Sequence, residues 1–241
     1  CGPEQKPFPE IDRAKLRITL ERAGCYGSCP RYKVRIDGNG NVVFDTGPTS
    51  AEMGFGNGPD YSTETGVRVA GKYRAKIPAE KVDDLIDEFQ SADFFSLNDA
   101  YRSEVTDNPT YVVSIDTGNG TKSVVDYVGD RAGMPAAVTR IEEAIDKAAR
   151  TDRWIKGTPE VIPMLVALDT DFSGVIGLEL MDAAAERNDI ATMARLEALG
   201  APLNSRGLPK PQMGWAINPL RSAIIEGHND AVGWLIRNNA A

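Results

Sequence analysis

The chain has 241 residues, with 27 basic and 35 acidic side chains and a formal charge of −8. At roughly 100–200 residues per domain this is one large or two small domains, and a 41% hydrophobic content excludes general disorder. No run approaches the ~18 apolar residues of a membrane-spanning helix; an acidic chain without a long basic cluster is no nucleic-acid binder; and one histidine with three cysteines leaves most metal sites and nucleophilic triads without parts.

The chain starts at Cys1 and continues Gly2-Pro3-Glu4-Gln5-Lys6-Pro7-Phe8-Pro9-Glu10, a proline-rich stretch expected to form an extended tether over residues 1–13. A leading cysteine on such a tether resembles a mature bacterial lipoprotein. The resemblance implies lipidation of Cys1, whose acyl chains bind a membrane by ~0.8 kcal/mol per buried CH₂. Gly2, where an aspartate often signals inner-membrane retention, implies an outer-membrane location facing the periplasm.

From residue 14 the pattern alternates. Leu16, Ile18 and Leu20 oppose Lys15, Arg17, Thr19 and Glu21, which is a half-buried strand. Then comes Gly24-Cys25-Tyr26-Gly27-Ser28-Cys29-Pro30-Arg31-Tyr32. In an oxidising envelope two such near cysteines are expected to form a disulfide, Cys25–Cys29. A loop this short removes only about 2 kcal/mol of unfolded-chain entropy, so the bridge shapes a turn more than it holds a domain. Two other chemistries stay open here. A redox pair wants CxxC at a helix N-terminus, whereas this spacing is CxxxC and Pro30 leads into a strand. Copper(I) accepts two soft thiolates, and CxxxCP resembles the motif of Sco-type copper proteins, although those place it before a helix and add a distant histidine, whereas here a strand follows and the one histidine belongs to another domain.

Tyr32, Val34 and Ile36 form a second strand, and Asp37-Gly38-Asn39-Gly40 turns into a third at Asn41 to Asp45. A glycine-rich loop spans residues 46–64. Its cluster Gly54-Phe55-Gly56-Asn57-Gly58 lacks the lysine and helix of a phosphate loop. Val67, Val69, Tyr73 and Ile77 opposite Arg68, Lys72, Arg74 and Lys76 predict a fourth strand. Pro78 opens a helix with Val82, Leu85, Ile86 and Phe89 on one stripe. A hairpin follows at Tyr111 to Asp116 and Thr121 to Tyr127, and a last helix runs from about Pro135 to Ala149. The expected class for residues 14–155 is α+β: an antiparallel sheet with two helices, in the order ββββ-α-ββ-α, the helices covering one face. This stretch resembles a bacterial family of unknown function found in envelope proteins, through the signature G-C-x-G-x-C-P-x-Y at Gly24, Cys25, Gly27, Cys29, Pro30 and Tyr32. The resemblance implies a fold class and brings no activity.

Residues 184–204 align with 223–240 at an offset of 39, and Met164 to Phe172 aligns with the end of the next unit at an offset of 31. Periods near ~33 with helix-turn-helix patterning resemble ankyrin repeats. Pro219-Leu220-Arg221-Ser222-Ala223 corresponds to the TPLHxA motif and Gly227-His228 to its GH. The resemblance covers residues 158–241, about two and a half repeats, and makes His228 a structural residue.

Two surfaces are candidates for binding. The polar sheet face gathers Arg17, Arg31, Lys33, Arg35, Arg68, Lys72, Arg74 and Lys76, a possible anion-binding surface, with Glu21 and Asp126 as interleaved carboxylates. The six-residue excess before the last repeat carries Met213 and Trp215, side chains typical of interface anchors. No cofactor and no catalytic residue are expected. The reading is a lipid-anchored envelope protein that binds another envelope protein without catalysis. The alternatives are thiol or copper chemistry at Cys25 and Cys29, and an anionic envelope ligand on the basic face.

Overall fold

The computed structural model describes residues 6–26, 29–47, 66–208 and 217–240. Cys1, Met213, Trp215 and the glycine cluster at Gly54–Gly58 lie outside them. The chain divides into two compact units, Cys1–Gly66 with Gly71–Thr151, and Val67–Ala70 with Asp152–Ala241.

The first unit is α+β. Its strands are β1 (Arg17–Arg22), β2 (Tyr32–Asp37), β3 (Asn41–Asp45), β4 (Lys72–Lys76), β5 (Ala100–Arg102), β6 (Tyr111–Asp116) and β7 (Thr121–Tyr127). Its helices are α1 (Ala79–Ser91) and α2 (Ala136–Ala149). The strands form one sheet in the order β4-β3-β2-β1-β6-β7-β5. Every pairing is antiparallel except that of β5 with β7. The sheet is therefore mixed rather than antiparallel, and the order is ββββ-α-βββ-α. The extra strand escapes pattern reading because it has three residues, of which only Tyr101 is buried. That is too short to alternate.

Ile18, Leu20, Val34, Ile36, Val42, Phe44, Val113, Ile115 and Val124 are all within 1% of full burial on one sheet face. Helices α1 and α2 pack on each other, and α2 lies on β2 and β6. Val82, Leu85, Ile86 and Phe89 of α1 and Val138, Ile141 and Ile145 of α2 are buried. At ~1.5–3 kcal/mol for each fully buried large aliphatic or aromatic side chain, this layer supplies the main stabilising term. The tether ends earlier than residue 13. Lys6 N–H donates to Ser96 Oγ, the Phe8 ring meets Phe95 edge-on at 5.1 Å, and Asp12 N–H donates to the Thr117 carbonyl.

The second unit holds six helices among the described residues: α3 (Asp152–Ile155), α4 (Ile162–Ala167), α5 (Val175–Glu186), α6 (Ile190–Ala198), α7 (Pro219–Ile225) and α8 (Asn229–Arg237). They form three hairpins of one design. Each first helix ends at a residue with positive φ: Gly157 (60°), Asn188 (55°) and Gly227 (73°). Each second helix ends the same way, at Asp169 (51°), Gly200 (87°) and Asn239 (61°). Glycine enters this region freely, and asparagine or aspartate at small cost. The closing bonds repeat too. Thr158, Asp189 and His228 N–H donate to Arg153, Ala184 and Ala223 carbonyls, and Thr170, Ala201 and Ala240 to Leu165, Leu196 and Leu235. Hairpin α5–α6 stacks on α7–α8 through α5–α7 and α6–α8 contacts.

Val67–Ala70 does not extend β4. Arg68 and Val69 N–H groups instead donate to the Ile155 and Trp154 carbonyls, and Trp154 is fully buried. Alternating Val-Arg-Val looks like a strand in sequence, but its backbone bonds go to α3.

Candidate functional site

The open face of the sheet, opposite α1 and α2, has two unlike rows of side chains. One row crosses β4, β3, β2 and β1 as Lys72, Asp45, Lys33 and Glu21, each the register partner of the next. Its charges alternate and pair: Lys72 with Asp45 at 3.1 Å and Lys33 with Glu21 at 2.8 Å. The next row runs Arg74, Val43, Arg35 and Thr19, with Arg17 two residues further along β1. Among the described residues no carboxylate forms an ion pair with Arg17, Arg35 or Arg74. All three are exposed and line one hollow of about 340 Å³, together with Asp37, Asn41, Val42, Val43 and Ala75.

Asp37 is the carboxylate of that hollow, and its own turn occupies it. Its Oδ1 accepts from Asn39 N–H at 2.9 Å and Asn41 N–H at 3.0 Å, and its Oδ2 from Asn41 Nδ2 at 2.8 Å. Burial works against its charge, but these bonds hold its pKa below the ordinary carboxylate value.

The expected anion-binding set thus divides. Arg35 and Arg74 line the hollow. Lys33 and Lys72 belong to the paired row. Arg31 is buried, just outside β2. Arg68 is not on this face at all: in the second unit its guanidinium meets Asp182 at 2.8 Å, Glu179 at 3.3 Å and Glu186 at 2.7 Å. Asp182 also accepts from Ser222 Oγ at 2.7 Å, which ties α5 to α7. Burial raises Glu179 to about 7 despite the Arg68 charge.

Beneath the sheet, the signature turn closes on a polar network. Cys25 and Cys29 are joined as a disulfide, with Cα atoms 5.6 Å apart. The strands leaving the turn pair at Arg22 and Tyr32, and both side chains reach Asp146 on α2. Arg22 donates from Nε and Nη2 to Asp146 Oδ2 at 2.9 and 2.7 Å. Tyr32 and Thr151 hydroxyls donate to Oδ1 at 2.7 and 2.8 Å. The Arg22 guanidinium also lies 4.2 Å over the Tyr111 ring. Burial and the Asp146 charge push the Tyr32 phenol up, so it remains a donor.

Glu142, one turn before Asp146, is 2% exposed and its Oε1 has no hydrogen-bond partner. Burial first, and the carboxylate of Asp126 second, push Glu142 up to about 8, so it carries a proton at neutral pH. Asp126 is itself raised by burial while accepting from Gly129 N–H at 2.7 Å. Both carboxylates are buried, which suits a structural tie better than proton transfer to a ligand. The sequence signal for Glu142 is its place in the apolar stripe of Val138, Ile141, Ile145 and Ala149. A carboxylate there must be paired or neutral.

Among the described residues no group of three or more His, Cys, Asp and Glu side chains could hold a metal ion, and no helix is long and apolar enough to cross a membrane. No curated protein matches the chain. Residues 16–149, which contain the sheet, both helices over it and the disulfide turn, match a family described as a domain of unknown function, DUF6438. By that match over more than half its length, the chain belongs to the DUF6438 family.

Proposed function

We propose that the protein is a lipid-anchored component of the bacterial envelope that binds another envelope protein, without catalysis, through ankyrin-type repeats in its second unit. The observation that carries this reading is where exposed apolar side chains fall. Of the seven large ones among the described residues, Val166, Leu168, Val175, Ile224, Ile225 and Ile236 belong to the hairpins, and only Tyr26 does not. A concentration of exposed apolar groups marks an interaction surface more often than chance exposure does. Stacked repeats present such surfaces because each contacts only its neighbours and leaves its outer side free.

The offsets of 31 and 39 recur in the turn residues, since Gly157, Asn188 and Gly227 carry the same backbone conformation. That supports the reading of these hairpins as ankyrin-type. Lipid on Cys1 would place these repeats beside a membrane, where a second envelope protein is within reach.

The test is a photo-crosslinking amino acid placed at Ile225, with Asp84 on the solvated side of α1 as the control site, in cells that make the full chain. A defined protein adduct from position 225 and none from position 84 is expected. Equal labelling from both sites, or none from either, overturns the reading. Intact mass of membrane-extracted protein tests the anchor, with acyl chains on Cys1 as the expected result.

A further inference from the structure

We infer that the hollow formed by Arg17, Arg35 and Arg74 is a binding site for a compact anion carrying two or more phosphate groups. The inference does not depend on what the helical hairpins bind. It rests on three observations on the open sheet face.

The first is the contrast between neighbouring rows. One step along the same strands, every cation has its carboxylate; here Arg35 and Arg74 have none in their row, and Arg17, whose register partners are Asp37 and Asp116, forms an ion pair with neither among the described residues. Arg35 and Arg74 are both register partners of Val43, so their Cα atoms stand about 10 Å apart across one intervening strand. Arg17 is diagonal to Arg35, at about 7–8 Å. Like charges held this close repel, and a chain with 35 acidic residues had ample means to pair them.

The second is the hollow itself. Val43 stands as a short apolar side chain between Arg35 and Arg74, and about 340 Å³ is left open. With Asp37 counted, the lining carries two net positive charges. The oxygens of Asp37 are already engaged by Asn39 and Asn41, and the carboxylate forms no ion pair with its register partner Arg17 among the described residues.

The third is the chemistry of the donors. Guanidinium is a planar fork that binds two oxygens at once. One carboxylate satisfies one fork. Three forks facing one space call for a ligand with several oxygens and more than one charge, which is what linked phosphates offer. The phosphates could be those of a free oligophosphate or of a lipid head group.

Calorimetric titration of the full chain with sodium pyrophosphate at low ionic strength is the first arm. Sedimentation with cardiolipin-containing vesicles, whose head group carries two phosphates, with and without pyrophosphate, is the second. Binding in either arm is expected to weaken as salt rises and to fall by about tenfold for each arginine removed in Arg17→Gln, Arg35→Gln and Arg74→Gln. Lys33→Gln and Lys72→Gln, in the paired row, should change it less than twofold. Arg17, Arg35, Arg74 and Lys72 are exposed, so melting temperature is expected to hold in their single variants and to rise slightly in the triple arginine variant. Pyrophosphate binding alone assigns a free ligand; vesicle binding that pyrophosphate displaces and the triple variant loses assigns a head group. No binding in either arm overturns the inference, as does binding that the triple variant retains or that the lysine variants lose equally.

Discussion

Each unit of the molecule holds a half-buried arginine among three carboxylates, and the two clusters solve the same charge problem differently. Arg68 divides its guanidinium among Glu179, Asp182 and Glu186. Arg22 donates from both Nε and Nη2 to Asp146, leaving Glu142 without a partner for one oxygen. In both, acid exceeds base, and burial raises one carboxylate furthest: Glu142 to about 8, beside a smaller rise at Asp126, and Glu179 to about 7. The lesson is that burial, not composition, pushes a carboxylate towards keeping its proton, even at Glu179, where a bond from Arg68 opposes it. The open sheet face is the reverse case, with three arginines and one engaged carboxylate at the surface.

The sharpest way to break the comparison is Asp146→Ala. It removes the acceptor of Arg22, Tyr32 and Thr151 together and leaves a half-buried guanidinium, so a loss of about 3–5 kcal/mol is expected from urea unfolding. Ionisation of Glu142 would then offset part of the loss, and its apparent pKa should fall. Arg68→Ala is expected to cost less, about 2–4 kcal/mol, because Glu186 is partly exposed and water screens the remaining acids. Hydrogen exchange in α5 and α7 should report it, since Ser222 depends on the same Asp182. Breaking the Cys25–Cys29 bridge with Cys25→Ser and Cys29→Ser should cost about 2 kcal/mol or less, because Arg22 and Tyr32 still close the turn on Asp146.

The smallest effect is a gain that depends on pH. Native Glu142 keeps its proton up to about 8, whereas the unfolded chain releases it near the ordinary value of 4.5. Stability from this group is therefore full below pH 4.5 and is lost as pH rises towards 8. Glu142→Gln should raise the melting temperature by roughly 5 °C at pH 8 and little at pH 4. A uniform shift at both values would show that Glu142 is not protonated in the native protein.

Much of the first unit was legible because its strands alternate cleanly. Tyr111–Asp116 and Thr121–Tyr127 are hairpin partners with the boundaries that the pattern and the Thr117-Gly118-Asn119-Gly120 turn imply. Strand β5 was not, since three residues carry no period. Arg68 was misplaced because alternation reports a half-buried extended segment without saying which backbone it pairs with. The candidate hollow was partly legible: Arg17, Arg35 and Arg74 all stood on the expected basic face, but which cations find carboxylates depends on cross-strand register, which the sequence alone does not set out. Asp146 and Glu142 were missed because acids on a helix normally face solvent. Only their position on the buried stripe of α2 distinguishes them.

The central functional claim, partner binding through the hairpins, is tested most directly by the size of the native assembly. Membranes from cells making either the full chain or its Ile224→Glu/Ile225→Glu variant would be solubilised gently and the protein's complex sized on native gels. Both positions are exposed, at 59% and 67%, so the fold should be retained. The account predicts a complex larger than the free chain that collapses to the free chain in the variant. An unchanged complex in the variant, or a free chain in both, would contradict it.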